Sequence, residues 1–203
     1  MRTGVFGGSF DPVHFGHLLL AEQCREQAKL DRVLFVPCNI QPHKQDGPRA
    51  TDRQRIEMLQ LGIAGHQSFE VSEIEINRGG VSYTIDTLKE LKTEFSDDEL
   101  FLLMGDDSLE SFAKWKEPKQ ICELATIVVV SRPGSGEVDL GALKPLASEK
   151  RFQQIVQNKI ASRNIDISSS DVHQRVSEGQ SIQFLMPRAV EKYIQTQKIY
   201  LKK

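Results

Sequence analysis

Two runs, LFLLM at residues 100–104 and TIVVV at residues 126–130, are apolar almost throughout. A strand with water on one face alternates apolar and polar residues, so a run that does not alternate is buried on both faces. Such strands need helices on either side. Helical periodicity lies between them. Counting from His17, Leu20, Ala21, Cys24 and Ala28 fall on one face of a helix that follows the short apolar run of residues 2–6. Residues 33–36 (VLFV) form a second buried strand, closed by Pro37. Thr51 and Gln54 make a capping box for a helix whose stripe includes Ile56, Leu59 and Ile63. A strand is expected over residues 69–76. After Arg78-Gly79-Gly80, Thr84 caps a helix carrying Leu88, Leu91 and Phe95. The alternation specifies an α/β, doubly wound parallel sheet of Rossmann-like type, covered by helices on both faces. In the C-terminal part Ser168, Ser169 and Ser170 are candidate caps of a short helix to Gly179, and Pro187 stands in the first turn of a last helix.

With 203 residues, 39% of them hydrophobic, the chain is long enough to bury the core of one domain spanning 1–203, with 168–203 as a small helical C-terminal subregion. A net charge of −2 argues against coating nucleic acid or an anionic membrane, which needs a broad excess of Lys and Arg. An anionic ligand must be held by a local site. No run of about 18 apolar residues occurs, and the first ten residues, MRTGVFGGSF, lack a signal-peptide pattern, so a cytoplasmic protein is expected. The three cysteines, Cys24, Cys38 and Cys122, are an odd number without C-x-x-C spacing and support neither a disulfide framework nor a zinc knuckle.

Ligands of open parallel sheets sit beyond the carboxyl ends of the strands. Those ends here read GGSFDPVH, PCNIQPHK, MGDD and SRPG. In the first, glycines let the backbone approach a ligand, and the helix that follows opens with its positive end toward an anion. His14 and His17 are three apart, so a helix starting near His14 aims both imidazoles at that end. The stretch is neither a Walker A loop, which needs G-K-[ST], nor a G-x-G-x-x-G fingerprint, and it has no H-E-x-x-H spacing for zinc. Phosphate binding is the reading that remains.

The pattern Gly8-x-Phe10-x-Pro12-x-His14-x-Gly16-His17 resembles the signature of the HxGH nucleotidyltransferases. Further segments follow in order: PCNIQPHK, GGVSYTIDTL at residues 79–88, MGDDSLESFAKW at 104–115, VSRPG at 130–134, and ISSS followed by MPRAVEKYI. Together they resemble the bacterial nicotinate-nucleotide adenylyltransferase family over essentially the whole chain. The resemblance implies AMP transfer from ATP to nicotinate mononucleotide, giving deamido-NAD and pyrophosphate. Mg²⁺ would be carried mainly by the ATP phosphates. The partners implied are these small molecules, without nucleic acid or membrane, and a homo-oligomer is compatible with the pattern. The expected catalytic residues are His14 and His17. ATP would be met by Gly7, Gly8, Ser9, Phe10, His14, His17, Asp107, Ser168, Ser169, Ser170 and His173. The acceptor would be met by Asn39, Lys44, Thr84, Trp115 and Arg132, with Trp115 stacking on the nicotinate ring. Asp106 is expected to face solvent beside Asp107. His173 stands where the family has Arg, a departure that bears on ATP affinity, and Arg175 would face nearly the other way along the helix. The residues alone leave open nicotinamide mononucleotide or phosphopantetheine as acceptor, and a regulator that binds nucleotide without catalysis. The loop of residues 38–50, rich in Gly and Pro and polar, is expected to become ordered on nucleotide binding.

Overall fold

The computed structural model describes residues 1–42, 47–131, 139–161 and 166–202. Six parallel strands form one sheet: β1 (Arg2–Gly8), β2 (Arg32–Pro37), β3 (Phe69–Val71), β4 (Glu99–Gly105), β5 (Ala125–Ser131) and β6 (Ile160–Ala161). Their order is β3-β2-β1-β4-β5-β6, so the sheet is built outward from β1 in one direction and then from β4 in the other. Helices α1 (Phe15–Gln27), α2 (Asp52–Ile63), α3 (Ile74–Arg78), α4 (Thr84–Glu94), α5 (Asp106–Ser111), α6 (Pro118–Leu124), α7 (Glu149–Gln157), α8 (Ser169–Ser177) and α9 (Arg188–Gln197) connect or follow the strands.

The unbroken apolar strands are explained by where successive side chains go. Phe6, Phe35, Leu103 and Val128 enter one core with Ala21 and Cys24 of α1, Met58 and Leu59 of α2, Val172 of α8, and Val190 and Ile194 of α9. Their neighbours Val5, Leu34, Leu102 and Ile127 enter the opposite core with Leu88 and Leu91 of α4, Leu109 of α5 and Ile121 of α6. Each strand therefore needs apolar residues at both phases of its period of two. The C-terminal helices belong to the first of these cores.

Three expectations change in detail. The strand foreseen over 69–76 is only three residues long, and Ile74–Arg78 is helical. β3 is an edge strand bonded to β2 alone. Its apolar residues Phe69 and Val71 occupy odd positions, whereas Ile74 and Ile76 occupy even ones, so the period of two slips where the strand stops. The capping box of α2 forms as expected, with the Thr51 side chain accepting from the Gln54 N–H and Gln54 accepting from the Thr51 N–H. Its buried face, however, is Arg55, Met58 and Leu59, while Ile56 and Ile63 are half-buried. Thr84 does not cap α4: Tyr83 is the N-cap residue, without a side-chain bond, and Thr84 opens the first turn. In the C-terminal part Ser168 caps α8 by accepting from the Asp171 N–H, and Pro187 precedes α9 as its N-cap residue.

Candidate active site

The strand order reverses between β1 and β4: β1 leads to α1 on one face and β4 to α5 on the other. A crevice opens at such a reversal. Here it is a cavity of about 340 Å³, walled by Gly7 and Gly8 of β1, residues 102–105 of β4, Ser82, Tyr83 and Thr84 at the start of α4, Trp115, Glu75 and Cys38.

The histidine turn adjoins this wall. His14 is the N-cap residue of α1, and its ring stacks on that of His17 with centroids 3.7 Å apart and planes 25° apart. The His14 backbone N–H donates to His17 Nδ1 at 3.3 Å. A neutral His17 therefore carries its proton on Nε2, which makes that nitrogen a donor. Burial lowers the His14 pKa to about 4, and burial together with the His14 charge holds His17 well below its ordinary value. Both rings are neutral at pH 7. Two first-turn donors are used within the protein, the Phe15 N–H by Leu185 O and the His17 N–H by His14 O. The imidazoles and the helix dipole remain to meet an anion.

The glycines of this turn are required by close approach. A Cβ on Gly16 would lie 3.0 Å from His14 Nδ1 and 3.1 Å from Cε1. One on Gly8 would lie 3.1 Å from the ring of Phe10, a fully buried residue held at φ 46°. Phe10 in turn meets His17 edge-on at 5.1 Å. Phe10 therefore supports the turn from below.

Two buried charged residues absent from the sequence reading hold the turn in place. Asp11 accepts from the Arg49 N–H at 2.7 Å, the Ala50 N–H at 3.2 Å and the Tyr200 hydroxyl at 2.6 Å. Burial and that carboxylate push the Tyr200 phenol far above its usual range. Arg55, with no exposed surface, donates to Ser9 O at 2.7 Å, Cys38 O at 2.6 Å and Asp52 Oδ1 at 2.6 Å. It clamps the loops leaving β1 and β2 to each other. The loop of residues 38–50 is anchored at both described ends: the Asn39 N–H donates to Ser82 Oγ and Ile40 bridges Val81, while the Arg49 and Ala50 N–H groups are held by Asp11. Residues 43–46 of that loop, Lys44 among them, lie outside the described residues, as does Arg132.

The remaining expected residues divide into two groups. Thr84 and Trp115 line the cavity, and Trp115 Nε1 donates to Ser111 Oγ at 3.3 Å. Around Asp107 the expectation reverses: Asp107 is exposed and accepts from the Ser108 N–H, whereas Asp106 is half-buried. Both stand in the first turn of α5, whose cavity-facing residues are Ser108 and Ser111. On the other side of the histidines, Ser169 Oγ donates to Pro12 O at 3.1 Å. The His173 ring lies 4.3 Å from that of Tyr200, tilted by 34°, with its Nε2 3.7 Å from Asp11 Oδ2. Arg175 pairs with Asp171 at 2.9 Å instead. Glu75, Ser82 and Thr87 form a buried hydrogen-bonded group under the cavity that periodicity did not reveal, because their partners are assembled by the turn between α3 and α4.

The cytidylyltransferase-like family profile matches residues 5–175. A probable nicotinate-nucleotide adenylyltransferase of Dictyoglomus thermophilum is 43% identical over 99% of this chain and 100% of its own length. One of Thermomicrobium roseum is 42% identical over 98% of this chain and 91% of its own. The solved nicotinic acid mononucleotide adenylyltransferase of Plasmodium falciparum, complexed with NaAD, superposes with a TM-score of 0.76 at 18% identity, covering 98% of this chain and 97% of that one, a likeness of fold. With a full-length match at this identity, the chain belongs to the nicotinate-nucleotide adenylyltransferases, within the cytidylyltransferase-like family.

Proposed function

We propose that the protein transfers the adenylyl group of ATP to nicotinate mononucleotide, giving deamido-NAD and pyrophosphate, as a step of NAD biosynthesis. The observation that carries this is the shared wall: Gly7 and Gly8 lead into the histidine turn and also line the cavity of Trp115 and Thr84. A phosphate site and an aromatic pocket are thereby side by side, as the two substrates require. The names of the 43% and 42% identical relatives support the same activity, and so does the NaAD held by the P. falciparum enzyme.

In the reaction an acceptor phosphate oxygen bonds to the α-phosphorus of ATP as the bond to the β-phosphate bridge breaks, and pyrophosphate leaves with the added charge. No protein nucleophile is needed; in-line positioning and charge stabilisation are. In this reading His17 Nε2–H and the His14 ring meet the phosphates, with Gly7, Gly8, Ser9 and Phe10 shaping their cradle. Two neutral donors already in place need no rearrangement when charge develops. Ser168, Ser169, Ser170 and His173 close the ATP side from α8, and Asp107 stands at its rim. Asn39, Thr84 and Trp115 seat the acceptor, with Lys44 and Arg132 as further cations. Mg²⁺ would arrive with ATP, whose phosphates ligate it readily. Among the described residues no helix is long and apolar enough to cross a membrane. We place the enzyme in the cytoplasm, as one domain over 1–203 with 168–203 as its C-terminal subregion, acting on small molecules and able to form a homo-oligomer.

Pyrophosphate release with nicotinate mononucleotide, nicotinamide mononucleotide and phosphopantetheine tests the reading. The acid nucleotide should give the highest kcat/KM; an equal or better amide nucleotide, or no turnover at all, would refute it.

A further inference from the structure

Glu75 is 6% exposed, yet it lines the same cavity as Trp115 and Thr84. A carboxyl group in such a place is costly unless something compensates it. Its neighbours are arranged as donors. The Thr87 hydroxyl donates to Glu75 Oε1 at 2.5 Å and itself accepts from Arg78 Nη2 at 3.0 Å. The Ser82 hydroxyl also bonds to Glu75, and it accepts from the Asn39 N–H at 2.9 Å. Arg78 and the Asn39 N–H each occupy one lone pair of these hydroxyls and so help turn them toward Glu75, although Tyr83 O also lies 3.4 Å from the Thr87 hydroxyl. Burial raises the Glu75 pKa, and the two hydroxyls and Arg78 act against that rise.

Positive groups also stand in this wall. Lys114 and Lys116 line the cavity, the latter 3.0 Å from Asp86 and 4.6 Å above the Tyr83 ring, and α4 opens there with its positive end. The cavity thus carries a buried carboxyl group together with the lysines Lys114 and Lys116 in its wall. A nicotinate ring joined to ribose through its nitrogen has the matching pattern, with a cationic pyridinium and an anionic carboxylate. Phosphopantetheine has no cation to offer. We infer that Glu75 is a specificity-determining residue that recognises the positive charge of the pyridinium ring, while the lysines and the start of α4 receive the ring carboxylate. This rests on nicotinate mononucleotide being the acceptor.

The test compares two acceptors of nearly one shape in wild-type enzyme and in Glu75→Gln. One is nicotinate mononucleotide. The other is its carbon-linked analogue, in which 3-carboxyphenyl replaces the pyridinium and the ring is neutral. Binding by calorimetry and kcat and KM by pyrophosphate release are measured for both. Wild-type enzyme should bind the pyridinium nucleotide more tightly by roughly tenfold or more, the Coulombic attraction being offset in part by desolvation of the two groups. Glu75→Gln should lose most of that preference, with the ATP KM little changed. Ser82→Ala removes a hydrogen bond but no charge, so it should keep the preference even if both acceptors bind more weakly. An equal fall for both acceptors in Glu75→Gln, the preference surviving, would overturn the inference while the nicotinate reading stood. Wild-type enzyme that turned over neither nicotinate mononucleotide nor its amide would overturn both.

Discussion

Replacing Arg55 by Lys isolates what a fully buried guanidinium does here. Its two Nη atoms reach different loops, one bonding Ser9 O at 2.7 Å and the other Cys38 O at 2.6 Å and Asp52 at 2.6 Å. A lysine has a single nitrogen, which cannot occupy both positions. At least one buried carbonyl loses its donor, at about 1–3 kcal/mol, together with a charge-assisted hydrogen bond of similar size. Because the ammonium recovers part of this at the other carbonyl, the net expected loss is about 2–4 kcal/mol. For a chain of this length each kcal/mol lowers Tm by about 2–4 °C, so a fall of roughly 10 °C is expected. Catalysis should fall as well, since Ser9 lies between Gly8 and Phe10 of the phosphate turn: kcat/KM roughly 10–100-fold lower for both substrates at 25 °C, where the variant is still folded. Urea denaturation monitored by circular dichroism and steady-state pyrophosphate release give the two quantities. A lysine variant within 0.5 kcal/mol (about the scatter of harmless surface changes) and with wild-type kinetics would show that Arg55 does not clamp the two loops.

Gly16→Ala places a methyl 3.0 Å from the His14 ring, so kcat should fall roughly 10–100-fold while Tm stays near that of wild type; unchanged kcat would mean that the ring position is not critical. His17→Ala should lower kcat about a hundredfold with a smaller change in acceptor KM, and near-normal turnover would return His17 to a structural role. With its pKa depressed to about 4, His14 adds stability that is present above pH 6.5 and lost as pH falls toward 4. Urea denaturation at pH 7 and 4.5 should therefore show wild type losing about 2–3 kcal/mol more than His14→Asn in the unliganded enzyme, and equal losses would contradict the buried, neutral ring.

The sheet was legible because burial on both faces leaves a local trace, as LFLLM and TIVVV do. The histidine turn was legible because glycines, histidines and a strand end stand together within a dozen residues. What sequence could not place are groups whose partners are distant. Asp11 bonds residues 38, 39 and 189 positions away, and nothing near it announces them. Arg55 was passed over, yet Met58, Leu59 and Gly62 at its i+3, i+4 and i+7 positions mark its face as the buried one, with Gly62 tight against Val13. Glu75 was hidden by a continued strand assignment, although the slip in apolar phase at residues 73–74 signals the break.

The bond between Asp11 and Tyr200 also sets an order in time. A ribosome adding about 5–20 residues per second makes Tyr200 roughly 10–40 s after Asp11, because 189 residues separate them. The contact of Ser169 with Pro12 is delayed in the same way. The phosphate turn is therefore translated well before the residues that complete it. Until then Asp11 can hold Arg49 and Ala50 but lacks its Tyr200 partner, and Pro12 lacks Ser169, so the turn is fastened in two stages.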